Sequence, residues 1–217
     1  MDDQSVSVEG AGAVPECNVG RGQTNYKTGS MSSKRDAQLD ELLIGGQEQR
    51  PIMIVDYDEG WPARFDELAP QINHARGTTV LSVDYIWSTA VPRLPAKPII
   101  DILLIVMNVE EERAYVLPLE SARFVLRVRE PGHRMFRTTE KDVHIHVFEP
   151  NSEQIADYRD LRDWLRISQI DRDLYSSTKK QLAQQVWRDM NYYSDAKTTV
   201  VQQSLGHARD WHATNHT

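Results

Sequence analysis

The stretch Ile99-Ile100-Asp101-Ile102-Leu103-Leu104-Ile105-Val106-Met107 constrains the fold more than any other part of the chain. An apolar run without polar alternation reads as a strand covered on both faces, so the fold must place other elements against each side of one sheet. The single interruption, Asp101, is equally informative. An ionised carboxylate inside an apolar strand is expensive unless it is paired, hydrogen-bonded or open to a cleft. The two readings of Asp101 are therefore a ligand-facing carboxylate and an internal ion pair, with Lys97 as a candidate partner.

The flanking segments supply the rest of a mixed sheet. Ile52-Met53-Ile54-Val55 reads as a first strand, and Asp58 as the cap of a helix on which Trp61, Phe65, Leu68 and Ile72 share one face, with Pro62 in the first turn. Val80–Ile86 is a short strand. Arg123–Arg129 alternates basic and apolar residues, Met135-Phe136 lies on a return strand after the turn at Pro131-Gly132, and Val143–Phe148 alternates again. From Glu153 the period becomes helical in three stretches: Ile155 to Leu165, Tyr175 to Val186, and Tyr193 to Val200. The expected class is α+β, a mixed β-sheet flanked by helices, closed by three C-terminal helices.

Composition sets the boundaries. Residues 1–50 are rich in Gly, Ser, Gln and charge with scattered apolar residues, so a disordered N-terminal tail is expected, relieved only by a short helix over Lys34–Ile44 that Gly45-Gly46 stops. The expected organisation is a tail over 1–50, one domain over 51–208 and a C-terminal tail over 209–217. The lone Cys17 cannot form an internal disulfide, and no apolar run reaches the roughly 20 residues that cross a bilayer, so a reduced, cytoplasmic setting without membrane insertion is expected. A formal net charge of −7 repels a phosphate backbone, so no nucleic-acid partner is expected, while a local basic pocket for a small phosphate compound remains open.

The segment Trp87-Ser88-Thr89-Ala90-Val91-Pro92-Arg93-Leu94-Pro95-Ala96-Lys97-Pro98-Ile99-Ile100-Asp101-Ile102 resembles the GrpB (UPF0157) family, whose members carry Gly-Ser-Thr-Ala-Val-Pro-Gly-Leu running into Lys-Pro-Ile-Ile-Asp-Ile. The resemblance continues through Arg129-Glu130-Pro131-Gly132-His133-Arg134, His144-Ile145-His146-Val147, Arg162-Asp163-Trp164-Leu165, Tyr175 with Lys179, and Tyr193 with Lys197. It implies a fold similar to that of nucleotidyltransferases, in which a Gly-Ser turn approaches a triphosphate and a strand bearing an acid-x-acid pair holds Mg²⁺. Four positions depart from that pattern. Trp87 and Arg93 stand where the family has Gly, Tyr85 stands in place of a His, and two residues beyond Asp101 lies Leu103 rather than a second acid. The resemblance also brings an association with dephospho-coenzyme A kinases, although the chain has no Gly-x-x-x-x-Gly-Lys-Ser/Thr loop of its own.

The expected site therefore has Asp101 as the catalytic and metal-binding carboxylate, with Mg²⁺ the implied ion. Ser88, Thr89, Lys97, Arg134, His144, His146 and Lys179 are its expected ligand-binding residues. Each has a plainer reading. Ser88 and Thr89 can simply stabilise their turn, the two histidines can be hydrogen-bonded structural groups, and most Lys and Arg side chains solvate a surface. Trp61, Trp164, Tyr175 and Tyr193 read as core residues. Two functions compete: a nucleotide- or phosphate-binding nucleotidyltransferase-like protein with a degraded metal site, and a catalytically inactive binding module. A second acid beside Asp101, sought among Glu130, Glu149 and Asp163, discriminates between them.

Overall fold

Five strands form one mixed sheet in the order β1-β2-β5-β4-β3, where β1 is Val80–Ile86, β2 Ile100–Val106, β3 Val125–Glu130, β4 His133–Arg137 and β5 Val143–Phe148. The computed structural model describes residues 29–75 and 80–215. Expectations for residues 1–28, including Cys17 and the disorder of that part of the tail, lie outside the described residues. The apolar run is the second strand, antiparallel to β1 and parallel to β5. The β3–β4 hairpin turns at Gly132, whose φ of 74° is a conformation glycine adopts without steric cost.

Alternation along the central strands gives the sheet two different faces. Ile102, Leu104, Ile145 and Val147 point to one side and join Leu68, Ile72, Leu119 and Phe136 in the main core, beneath α2 (Trp61–Ala75) and α3 (Val116–Ser121). The expected Trp61-Phe65-Leu68-Ile72 face does pack inward, with Phe65 stacked on Tyr85 at 4.7 Å. On the opposite side Leu103, Ile105, Phe148 and Ile155 form a smaller cluster under α4 (Glu153–Ile167). Both faces of the central strand are thus covered, except at its start.

Four helices close the described chain where three helical periods were expected: α4, α5 (Gln169–Leu182), α6 (Met190–Ala196) and α7 (Thr198–Asn215). The third period divides at Lys197, and α7 runs through residues 209–215, which were expected as a tail. Ile52–Val55 is not a strand. Val55 alone exchanges two 2.9 Å backbone hydrogen bonds with Ala96, and Pro95 and Pro98 offer no N–H with which to extend that ladder.

The short helix expected over Lys34–Ile44 is present as part of a longer one, while the disorder expected over residues 45–50 is corrected. Helix α1 (Gly29–Leu42) buries Leu39, and Leu43 behind it pairs with Val128 at the free edge of β3. Gly45 and Gly46, at φ of 87° and 73°, stop the helix as anticipated. Arg127 donates to the carbonyls of Ile44 and Gly46, and Glu48 pairs with Arg137 at 2.6 Å and with Lys141 at 2.8 Å. These long-range contacts were invisible to local composition. Among the described residues, no helix is long and apolar enough to cross a membrane.

Candidate functional site

The candidate cleft opens where β1 ends and β2 and β5 begin. Register places Asp101 directly beside His144 and Leu103 beside His146, so the three polar side chains project from the same face of the sheet. The turn after β1, Ser88–Ala90, forms one wall, while Tyr175 and Lys179 of α5, Tyr193 of α6 and Lys197 form another. The cavity measures about 430 Å³, enough for a small molecule of nucleotide size.

The turn is firmly held. Thr89 donates its hydroxyl to the Ile99 carbonyl at 2.9 Å, Arg166 donates to the Ala90 carbonyl at 2.8 and 3.1 Å, and Arg162 donates to the Tyr85 carbonyl at 2.9 Å. Two residues in this loop adopt left-handed backbone: Trp87 at φ 61°, ψ −156° and Arg93 at φ 66°. These are the two positions where the resembling motif has glycine, and the backbone explains why. At Trp87 the combination is one that side chains resist, at a cost of about 1–3 kcal/mol. The indole does not leave the cleft. It lines it, packed on Tyr158 with ring centres 4.7 Å apart.

Three lysines converge on the cleft. Lys179 is buried and donates to Ser88 Oγ at 2.9 Å and to the Pro95 carbonyl at 2.6 Å. Lys97 and Lys197 lie over the same ring, that of Tyr193, with Nζ 5.1 and 4.8 Å from its centre. Burial lowers all three ammonium pKa values: Lys97 to about 7, Lys197 to about 8, and Lys179 well below the ordinary lysine range, the last also through repulsion by Lys197 and Lys97. Among the described residues, no carboxylate stands within ion-pair distance of any of them.

The anionic part of the cleft is a cluster of one carboxylate and two imidazoles. Asp101 Oδ1 is 3.4 Å from His144 Nδ1 and 3.7 Å from His146 Nε2. Burial pushes the Asp101 carboxyl up, but the two imidazoles outweigh it and hold the group below the usual carboxylate range. Burial also lowers the His144 pKa against the pull of Asp101, favouring a neutral ring.

None of the three acids considered as a second metal ligand joins Asp101. Glu130 binds His133 at 2.6 Å, Glu149 accepts from the Val109 N–H at 3.1 Å, and Asp163 pairs with Arg162 at 2.7 Å and Arg166 at 3.2 Å. Leu103 occupies the place of the second acid, fully buried beside His146. A hard Mg²⁺ ion wants a shell of oxygen ligands, and one carboxylate with two imidazoles does not fit it.

Seven of the eight expected site residues therefore line the cleft: Ser88, Thr89, Lys97, Asp101, His144, His146 and Lys179. Arg134 does not. Strand alternation turns it to the opposite face, opposite Val147, where it is buried against Glu110 at 2.5 Å and Glu112 at 2.6 Å. Arg50, Tyr175 and Tyr193 were missed as lining residues, and Lys197, matched to the family resemblance and suited to an anionic ligand, lines the cleft with them. A signal for three of them was present, because Tyr175–Lys179 and Tyr193–Lys197 repeat one spacing, and residues four apart on a helix meet.

Fold and site together define an α+β protein with a basic cleft beside a carboxylate–imidazole cluster. The sequence profile of the GrpB protein family matches residues 51–207. A UPF0157 protein of Halalkalibacterium halodurans is 40% identical over 190 residues, covering 84% of this chain and 96% of that protein. Another, of Streptomyces coelicolor, is 42% identical over 174 residues, covering 80% and 93%. Among solved structures, the conserved protein GrpB from Enterococcus faecalis superposes with a TM-score of 0.63 at 27% identity, covering 73% of this chain and 99% of that one. The chain belongs to the GrpB family.

Proposed function

We propose that the cleft binds a nucleotide or another phosphorylated small molecule, in a nucleotidyltransferase-like protein that has lost the two-metal arrangement. One observation carries this reading: the buried Lys179 and the half-buried Lys97 and Lys197 meet in one cavity, and among the described residues no carboxylate is paired to any of them. Burying an uncompensated ammonium is costly, and an anion bridging Lys97, Lys179 and Lys197 removes that cost while gaining charge-assisted hydrogen bonds. Ser88, already held by Lys179, adds a hydroxyl at the same wall.

The missing second acid and the indole of Trp87 favour binding over transfer chemistry. They leave an inactive binding module as the second reading. A link to coenzyme A metabolism rests on the family resemblance alone, and the cytoplasmic setting on the single thiol.

The test is isothermal titration of ATP, pyrophosphate and dephospho-coenzyme A into the full chain with a chelator present. Saturable binding that pyrophosphate competes for, weakened about tenfold or more by Lys179→Met, is the expected result, since a charge-assisted hydrogen bond contributes about 1.5–3 kcal/mol. Silence across the panel would remove the anion reading.

A further inference from the structure

We infer that Asp101, His144 and His146 form a binding site for a single divalent transition-metal ion of the Zn²⁺ class, in place of the Mg²⁺ that the fold's resemblance implies. Each residue offers one ligand atom that falls within 4.8 Å of those of the other two, and the ring nitrogens nearest Asp101 Oδ1 are His144 Nδ1 and His146 Nε2. Two ligands bound at about 2.0–2.2 Å to a tetrahedral centre stand roughly 3.4 Å apart, close to the 3.4 and 3.7 Å separations between Asp101 and the two rings. Those separations exceed the usual length of a hydrogen bond.

The ring orientation of His146 is set from behind. Glu130 Oε1 lies 2.6 Å from His133 Nδ1, and His133 Nε2 lies 3.2 Å from His146 Nδ1. Glu130, as a carboxylate, only accepts, so His133 carries its proton on Nδ1 and presents a bare Nε2. His146 must then donate from Nδ1, which leaves the lone pair of a neutral His146 on Nε2, aimed at the Asp101 carboxylate. A second ring proton or a metal ion can stand between two such lone-pair atoms, and their 3.7 Å separation, too long for a hydrogen bond, suits the metal ion. A carboxylate–His–His relay of this kind is how proteins fix the tautomer of a metal-ligating imidazole. The donor set of two imidazoles and one carboxylate suits Zn²⁺, Fe²⁺ or Co²⁺ far better than Mg²⁺. With three protein ligands, a tetrahedral ion keeps one position for water or a further ligand.

The site is separate from the lysine wall and does not depend on the anion reading. Lys97 and Lys197 are directed to the Tyr193 ring and Lys179 to Ser88 and Pro95, so no ammonium occupies the space between the two imidazoles and Asp101.

The test titrates Co²⁺ alone into the metal-stripped full chain and follows its visible d–d absorption. Expected are bands that saturate at one equivalent, vanish on adding Zn²⁺ and persist in a large excess of Mg²⁺. His144→Gln and His146→Gln should each weaken Co²⁺ by more than the roughly 10–100-fold that changes behind a ligand cost, and Glu130→Gln should fall within that range. The side chain of Glu130 is 38% exposed, so this variant keeps the test decisive if a histidine variant unfolds. Absent bands, displacement by Mg²⁺, or wild-type affinity in Glu130→Gln and in a folded histidine variant overturns the site. Because no phosphate compound is present, such a failure leaves the lysine wall's anion binding untouched, and the chelated anion titration says nothing about the metal.

Discussion

Two sets of cations lie on opposite faces of the sheet, and they are treated in opposite ways. On the main-core side, Arg134 is buried but matched by Glu110 and Glu112, and Arg129 adds a 2.8 Å pair to Glu112. On the cleft side, Lys179 is as deeply withdrawn from water and Lys97 and Lys197 are half-buried, yet their company is hydroxyl, carbonyl and aromatic ring. A matched buried cation supports the fold. An unmatched one stands where the proposed anion would complete it, which makes the contrast a criterion for separating scaffold from candidate site.

The largest effect should come from breaking the matched set. Arg134→Met leaves Glu110 without its guanidinium and Glu112 with Arg129 alone, and is expected to cost about 3 kcal/mol, the lower end for a broken buried pair because Glu110 reaches solvent and Glu112 keeps a partner. Lys97→Met in the cleft should leave stability unchanged or raise it, since a poorly solvated charge is exchanged for an apolar chain of similar length. Urea unfolding of both variants compares them directly. A larger loss in Lys97→Met than in Arg134→Met would mean that the lysine wall, too, belongs to the scaffold.

A smaller effect follows from the depressed lysine pKa values. Lys97 at about 7 and Lys197 at about 8 in the fold rise to the ordinary 10.5 on unfolding, so the unfolded chain binds more protons between roughly pH 7 and 10. Stability should therefore increase with pH across that window, by up to about one proton per lysine in slope, and Lys97→Met should flatten the curve. Anion binding has the reverse dependence, tightening towards pH 7 with proton uptake. Thermal unfolding over this range checks the first, and calorimetry in buffers of different ionisation enthalpy checks the second. A flat stability profile in the native chain would contradict the burial of these groups.

How far this contrast could be read from sequence depends on the range of the interactions. Asp101 announced itself because one charge in an apolar run has few innocent explanations, and the two-residue spacing of His144 and His146 already put both rings on one face. The parallel β2–β5 pairing that joins them is non-local, and no local pattern carried it. Arg134 misled because its sign suits a phosphate, while the hairpin register that turns it towards Glu110 and Glu112 was unknown. The strap over residues 43–50 was missed for the same reason. Its Gly and Gln content reads as disorder, whereas its order comes from Arg127, Arg137 and Lys141, all more than 80 positions away.

The smallest predicted effect concerns Trp87, where the cleft has replaced a backbone feature with a side chain. Its φ of 61° and ψ of −156° strain any residue with a Cβ, while its indole gains contact with Tyr158. Trp87→Gly relieves the strain and loses the contact, so the two terms oppose one another and the net change should stay within about 1 kcal/mol. Trp87→Ala loses the same contact and keeps the strain. The alanine variant should therefore be the less stable of the two, by about 1 kcal/mol, even though glycine is normally the more destabilising replacement through its greater freedom when unfolded. Chemical unfolding of the pair isolates the backbone term without reference to any ligand. If alanine proves the more stable, the left-handed turn is not retained in solution, and Trp87 shapes the cleft through its indole alone. If glycine wins and its variant also binds pyrophosphate more tightly, the indole is what narrows the cleft against phosphate, and the contrast between a paired scaffold and an incomplete site extends from side-chain charge to the backbone itself.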